Sequence, residues 1–300
     1  MSHSAVLLIA LAVFAHLVAD FVLQTDAIAE AKSAPDERAW RGLAIHAGIV
    51  AICLLPFVAA YGARGLGYLV IVSVAHGLID RSKVVLHRRA VGPAPKPAAP
   101  AAAAAAATGV EPTGPASAPD APGDRAWTPL PAALFLADQA AHFVVLVVGA
   151  SVLLLGQPTL AAWNDVVNAI GANLLPVADL GAAITMVVVV LDLLILNIRG
   201  GFFLVGILLA PRGYASGSAP GPERVGATIG ILERLIVCVL VLAGQAAAIG
   251  FVIAAKTLAR FRQLDDRHFA EYYLVGTLAS VTLALSTSIV AAAAITAALA

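Results

Sequence analysis

Long apolar runs alternate with short polar segments along this 300-residue chain. Crossing the hydrocarbon core of a bilayer takes about 20 mostly apolar residues in a helix, and only helices and closed barrels satisfy their backbone there. The runs lack the polar-apolar alternation of barrel strands, so they predict helices. We expect an all-α, polytopic bundle of about eight spans: Ser4–Leu23, Gly42–Ala60, Gly65–Leu86, Leu130–Leu155, Leu180–Ile198, Gly226–Ala243, Gln245–Ala259 and Tyr272–Ala297.

The sixth and seventh spans are close enough to form one long helix, because Gly226 to Ala259 is apolar almost throughout. Gly244 and Gln245 lie in its middle and suit the turn of a hairpin, so we predict two helices. Gly201–Ala210 is too short to span and is predicted to be re-entrant or to lie at the membrane interface.

A segment of different composition divides these runs. Between Val91 and Pro131 lie ten of the seventeen prolines and seven consecutive alanines, Ala101 to Ala107, without apolar periodicity. This composition predicts a disordered Ala/Pro-rich linker. The predicted organisation is therefore residues 1–90 with helices one to three, a linker over 91–129, and residues 130–300 with helices four to eight.

The overall composition agrees with a membrane protein. Hydrophobic residues make up 61% and charged residues 12% of the chain, against about 45–50% and 25% in soluble domains. The formal net charge is zero, so bulk electrostatics predicts no nucleic-acid partner. Cys53 and Cys238 lie singly in apolar runs, which excludes a disulfide framework and a thiolate metal site. The expected partner is the lipid bilayer.

Basic residues follow alternate spans, so that sixteen of the eighteen fall on one side of the membrane. Cytoplasmic loops are enriched in Lys and Arg. We therefore expect the amino terminus outside and the linker in the cytoplasm. One helix across Gly226–Ala259 would place the basic residues that follow the seventh span on the outside. The same rule therefore favours the hairpin. These basic residues are Lys256, Arg260, Arg262 and Arg267.

Ionisable residues inside the predicted spans cost several kcal/mol each and usually mark a functional site. Three spans carry a histidine and an aspartate four residues apart, which places both on one helical face: His16/Asp20, His76/Asp80 and Asp138/His142. Under the predicted topology each aspartate lies nearer the cytoplasm and each histidine lies about 6 Å deeper. We expect these faces to line one polar cavity, together with His46, Asp192 and Glu233.

Imidazole and carboxylate groups suit zinc, manganese or iron, so the cavity is a candidate divalent-metal site. A bound metal would acidify water that attacks an ester or phosphoester of an amphiphilic substrate, with a spare carboxylate as general base. The candidate catalytic residues are Asp20, Asp80 and Asp138, and the candidate metal ligands are His16, Asp20, His46, His76, Asp80, Asp138 and His142.

Two other functions fit the same residues. Histidine titrates near neutral pH, so the groups can relay protons in a proton- or ion-coupled transporter. They can also serve as polar contacts between helices in a structural or assembly protein. Outside the pairs, we predict an ion pair between Glu233 and Lys256 across the hairpin, and one between Asp80 and Lys83 along one helix.

Several stretches together resemble the bacterial membrane proteins classed as domain of unknown function 3307: HLVADFVLQTD (16–26), HGLIDRSK (76–83), DQAAH (138–142), IGILERLI, AAKTLARF and EYYLVGTLAS. That family has no established activity. The resemblance implies a multi-pass protein of a bacterial inner (plasma) membrane. It singles out His16, Asp20, Gln24, His76, Asp80, Asp138, Gln139 and His142.

Overall fold

The computed structural model describes residues 3–91, 128–174, 179–209 and 222–299. Within these ranges the regular structure is helical, without strands. Residues 92–127 of the predicted linker lie outside the described residues. The helices are α1 (His3–Leu17), α2 (Asp26–Lys32), α3 (Arg38–Tyr61), α4 (Ala63–Val91), α5 (Leu130–Leu153), α6 (Ala161–Leu174), α7 (Leu180–Ile195), α8 (Gly201–Leu209), α9 (Pro222–Leu242), α10 (Ile249–Ala259) and α11 (Arg267–Leu299).

Among the described residues, five helices are long and apolar enough to cross a membrane: Ser4–Leu23, Arg38–Tyr61, Leu130–Leu153, Leu180–Leu209 and Phe269–Leu299. They contain the first, second, fourth, fifth and eighth predicted spans. The third and sixth correspond to α4 and α9, which carry several charged side chains, and the seventh to α10, which has only 11 residues. For these three, membrane crossing stays a prediction.

Large apolar side chains cover the outside of the molecule. Val152 is 71% exposed and Phe251 is 80% exposed. A protein surrounded by water rarely leaves a wide apolar surface uncovered. The exposed apolar surface therefore agrees with lipid contact.

The prediction that Gly201–Ala210 forms a separate short segment is wrong for its described part. Leu180–Leu209 is one continuous 30-residue helix, in which a π-helical segment, Leu196–Gly200, joins α7 to α8. Glycines are tolerated within spanning helices where local π adjustments and neighbouring side chains satisfy the backbone. Here the Arg234 Nε donates to the Asn197 carbonyl at 2.6 Å.

The predicted hairpin is present. Helix α9 ends at Leu242, Gly244 has a φ of +72°, and α10 begins at Ile249. Only glycine adopts this left-handed conformation without a steric cost. The predicted ion pair across the hairpin is confirmed, because the Lys256 Nζ lies 2.5 Å from the Glu233 Oε2.

Helix α1 packs against two groups of helices. One apolar core joins α1 with α3, α4 and α5, which we call the first bundle, through residues such as Ala12, Leu54 and Leu146. A second core joins α1 with α7, α9, α10 and α11 through residues such as Ala10 and Val237; α7 to α11 form the second bundle. The alanines of α1 let both groups approach its backbone closely.

The carboxyl-terminal ends of α1 and α7 lie side by side. Each helix continues into a π-helical segment, Val18–Leu23 after α1 and Leu196–Gly200 after α7. The Arg199 Nε donates to the Phe21 carbonyl at 2.9 Å and so joins the two segments. Single π-helical turns within α-helices are frequent at functional sites, and the first of these segments carries Asp20.

Candidate metal centre

Four helices of the first bundle bring six predicted site residues together. Three overlapping groups each offer ligand atoms within 4.8 Å of one another: His16/Asp20/His142, Asp20/His46/His76 and His76/Asp80/His142. The residues come from α1 with its π-helical extension, α3, α4 and α5. All are buried except Asp20, whose side chain is 10% exposed. The predicted convergence of imidazole and carboxylate groups is therefore present in the structure.

His46 and His76 form the tightest part of this cluster. Their Nε2 atoms are 2.9 Å apart, and the Asp20 Oδ1 lies 3.2 Å from each. The Asp80 Oδ2 lies 3.6 Å from the His46 Nε2 and 3.7 Å from the His76 Nε2. In a tetrahedral site with bonds of about 2.0–2.1 Å, neighbouring ligand atoms are about 3.3–3.4 Å apart. These distances lie close to that spacing.

His16 and His142 complete the cluster, and the His142 ring lies against His76 with centroids 4.1 Å apart. The His16 Nε2 is 3.9 Å from the Asp20 Oδ2, and the His16 and His142 rings stack with centroids 5.1 Å apart. The His142 Nδ1 lies 2.9 Å from the Asp138 carbonyl oxygen and must donate to it, because a carbonyl only accepts. The His142 Nε2 therefore carries a lone pair, and it has no hydrogen-bond partner within the described ranges.

Two lysines hold carboxylates at the edge of the cluster. The Lys32 Nζ lies 2.6 Å from the Asp80 Oδ2 and donates to the Gln24 Oε1 at 2.6 Å. The Lys83 Nζ lies 2.7 Å from the Asp138 Oδ2. The predicted Asp80–Lys83 pair is therefore wrong: Lys83 reaches across to α5, and a lysine from α2 takes its place on Asp80.

Sequence reasoning missed Lys32, which lies outside the predicted spans. It ends the short helix α2, whose first turn is capped by the Thr25 Oγ1 accepting from the Ile28 N–H at 3.4 Å. A β-carbon at Gly42 of α3 would lie 2.6 Å from the backbone nitrogen of Lys32. Only a glycine at position 42 lets α2 pack this closely, and this contact brings Lys32 to Asp80.

Asp138 stands beside the cluster rather than inside the three groups. Its Oδ2 accepts from Lys83 and, at 3.1 Å, from the Gln139 Nε2. Its Oδ1 is buried and has no hydrogen-bond partner in the part of the chain that the structure describes. The Asp138 Oδ1 lies 3.9 Å from the His142 Nδ1, so a free carboxylate oxygen faces the imidazole layer.

Of the three additional residues expected to line the cavity, His46 belongs to the cluster and the other two do not. Asp192 lies on α7, where its buried Oδ1 has no partner among the described residues. Glu233 pairs with Lys256. Neither Asp192 nor Glu233 belongs to the three ligand groups.

The formal charge of the cluster favours a cation. Asp20, Asp80 and Asp138 contribute three negative charges and Lys32 and Lys83 contribute two positive charges. With neutral imidazoles the sum is one net negative charge in a buried site. Such an excess is costly in a low-dielectric interior, and a bound cation would offset it.

The family comparison covers the part of the chain that contains this site. A family model described as a protein of unknown function, DUF3307, matches residues 7–170. The chain belongs to the DUF3307 family. The DUF3307 match includes the six cluster residues and Asp138 but not α7 to α11, so the resemblance stated for the later stretches lies outside the matched range. No curated protein and no solved structure matches the chain.

Proposed function

We propose that this DUF3307 protein is an integral membrane protein whose histidine–aspartate cluster binds a divalent metal ion such as zinc, manganese or iron. One observation carries the proposal: the nitrogens of His46 and His76 and the oxygen of Asp20, from three different helices, lie 2.9–3.2 Å apart. Imidazole and carboxylate at this spacing form the ligand set that these metals prefer.

Unpartnered polar atoms favour a metal over polar contacts between helices. In a cluster that only holds helices together, nearly all buried polar atoms should find hydrogen-bond partners. Within the described residues, the His46 Nδ1 and the His142 Nε2 are both buried without one. A metal ion would occupy the lone pair of the His142 Nε2.

The direct test is metal analysis of the protein purified in detergent and exposed in turn to zinc, manganese and iron. We expect at least one equivalent per chain, which is lost in a His46→Ala/His76→Ala variant. His87→Ala is the matched control, because His87 lies exposed on the same helix as His76. Absence of stoichiometric metal from the parent protein under all three conditions would overturn the proposal.

We also propose that the protein lies in a bacterial inner membrane with its amino terminus outside and residues 92–127 in the cytoplasm. Fifteen of the eighteen basic residues support this orientation, because Arg199 lies inside the continuous Leu180–Leu209 helix. A membrane-impermeant maleimide should label Ser2→Cys but not Ala103→Cys in intact spheroplasts, both made in a background with Cys53 and Cys238 replaced by alanine. The reverse labelling would contradict it.

The free oxygen of Asp138 supports a second step, the hydrolysis of an amphiphilic substrate. When bound, a divalent metal lowers the pKa of a water ligand toward neutrality. In this proposal Asp138, whose Oδ1 lies 3.9 Å from the His142 Nδ1, would act as the general base that takes a proton from a water molecule. The water oxygen would attack an ester or phosphoester and release an alcohol and an acid. Lys83 holds the other oxygen of Asp138 and fixes its orientation. An amphiphilic substrate fits a cluster that is buried between apolar helices.

Hydrolysis is tested with p-nitrophenyl palmitate and bis(p-nitrophenyl) phosphate in detergent micelles. We expect metal-dependent release of p-nitrophenol that falls about 10²–10⁴-fold in Asp138→Asn, as for loss of a general base, while the metal content is kept. Asp165→Asn on the exposed surface of α6 is the control. Metal binding without turnover of either ester, combined with metal-dependent ion flux in vesicles, would favour the transporter instead.

A further inference from the structure

The carboxylate of Asp20 lies close to two pairs of histidines, which adjoin each other: the His76 and His142 ring centroids are 4.1 Å apart. Its Oδ1 lies 3.2 Å from the Nε2 atoms of His46 and His76. Its nearest approach to His16 is through the other oxygen, Oδ2, at 3.9 Å. His16 in turn stacks on His142, and these two residues form a ligand group with Asp20 in which the atoms lie within 4.8 Å of one another.

We infer that the cluster is a two-metal centre in which Asp20 bridges the ions, with His46, His76 and Asp80 on one ion and His16 and His142 on the other. This inference rests on the proposed metal-binding function. A carboxylate that binds one ion through each oxygen is compatible with the separation of about 3.5–4 Å found in two-metal sites. The cluster supplies six side chains, two more than a four-coordinate ion uses.

His142 offers a lone pair that a second ion can use. Its Nδ1–H donates to the Asp138 carbonyl, which sets the tautomer and turns the Nε2 lone pair away from its own helix, as second-shell contacts do for metal-binding histidines. The residue is 2% exposed, and the Nε2 has no hydrogen-bond partner among the residues described. His142 belongs to two of the three ligand groups, one with His76 and Asp80 and one with His16 and Asp20. The group with His16 and Asp20 can hold a second ion while the Asp20/His46/His76 group holds the first.

Electrostatics orders the two binding steps. With one net negative charge, the cluster becomes positive once the first divalent ion is bound. The second ion therefore binds more weakly than the first, because it enters a site that already carries a like charge. The tighter site is the one with two carboxylates, Asp20 and Asp80.

The test is a manganese titration of the full-length protein in detergent, followed by metal counting and electron paramagnetic resonance. We expect two equivalents bound in two steps and, at saturation, the many-line spectrum of two coupled Mn²⁺ ions. His142→Ala should keep one equivalent and lose the coupling, whereas His87→Ala should keep both equivalents. His16→Ala is a second variant at the weaker site, in case His142→Ala fails to fold.

The outcomes separate this inference from the function on which it rests. One equivalent in the parent protein, without a coupled spectrum, overturns the two-metal centre and leaves the single metal site standing. Complete loss of metal in both His142→Ala and His16→Ala, in proteins that remain folded, also overturns it, because all six residues then serve one ion. No bound metal in the parent overturns both.

Discussion

The two helix bundles differ in whether their polar side chains converge. In the first bundle, imidazoles and carboxylates from four helices face one another, and the His142 Nε2 and the Asp138 Oδ1 are left without partners within the described ranges. In the second bundle, Arg234 donates to a backbone carbonyl and to the Ser280 Oγ, and Glu233 pairs with Lys256. Buried atoms without partners occur there too, such as the Asp192 Oδ1, but among the described residues they belong to no ligand group. Polar groups that satisfy the backbone or one another hold a fold together, whereas convergent groups with free lone pairs form a site.

The two π-helical segments show the same contrast. The first presents Asp20 to four histidines. The second has its Asn197 carbonyl bound by Arg234, and the Asn197 Nδ2 donates to the Thr287 Oγ1 at 3.1 Å. A π-helical turn shifts side chains relative to an α-helix in both places, but only the first lies among possible metal ligands. The following predictions test this division between the bundles.

The largest expected effect is stabilisation by metal in the first bundle. A divalent ion at about 1,000 times its dissociation constant should stabilise the fold by about 4 kcal/mol, because it binds only the folded state. The measurement is the thermal unfolding temperature in detergent with and without zinc or manganese. In His46→Ala/His76→Ala the metal-induced shift should vanish, whereas an equal shift in that variant would place the metal elsewhere.

Loss of Arg234 should destabilise the second bundle without changing the metal content. Arg234→Ala leaves the Asn197 carbonyl and the Ser280 hydroxyl without their donor in a buried place, which costs about 1–3 kcal/mol. Thermal unfolding should register this loss while the metal content stays at the parent value. A variant that loses metal as readily as a cluster variant would contradict the separation of the two bundles.

Arg199 joins the two bundles. We expect its replacement to lower the metal affinity, with a smaller change in free energy than the loss of stability in Arg234→Ala. Its contact with the Phe21 carbonyl holds the π-helical segment that carries Asp20. Arg199→Leu should weaken metal binding about 10-fold, the lower end of the range for outer contacts of metal sites. Arg199→Lys, which keeps a donor, should restore part of the affinity in a competition titration with a chelating dye. Unchanged affinity in both variants would show that the second bundle does not position Asp20.

The smallest effect is expected at the hairpin. The Glu233 and Lys256 side chains are partly exposed, and such pairs contribute about 0.2–1 kcal/mol. Glu233→Gln should lower the unfolding temperature slightly, and the charge swap Glu233→Lys/Lys256→Glu should recover it. A much larger loss in Glu233→Gln, not recovered by the swap, would indicate that Glu233 has a role outside the pair.

Much of the site could be predicted because its residues are spaced four apart along single helices. A histidine and an aspartate four residues apart share a helical face whatever the surrounding fold, so His76 and Asp80 could be placed on one face in advance. Asp192 has the same residue type and a similar setting in an apolar helix, but it has no histidine four residues away. It lies apart from the cluster because α7 belongs to the second bundle.

Local pattern alone determined the helical class, the hairpin at Gly244 and the residues able to bind a metal, since these depend on hydropathy, backbone conformation and helical period. Tertiary structure decided which carboxylates the lysines hold, the continuity of α7 with α8 and the central position of α1. The physical reason is that these features depend on close contacts between helices distant in sequence. The approach of Lys32 to Asp80 beside Gly42 is one such contact, and no repeat along a single helix encodes it.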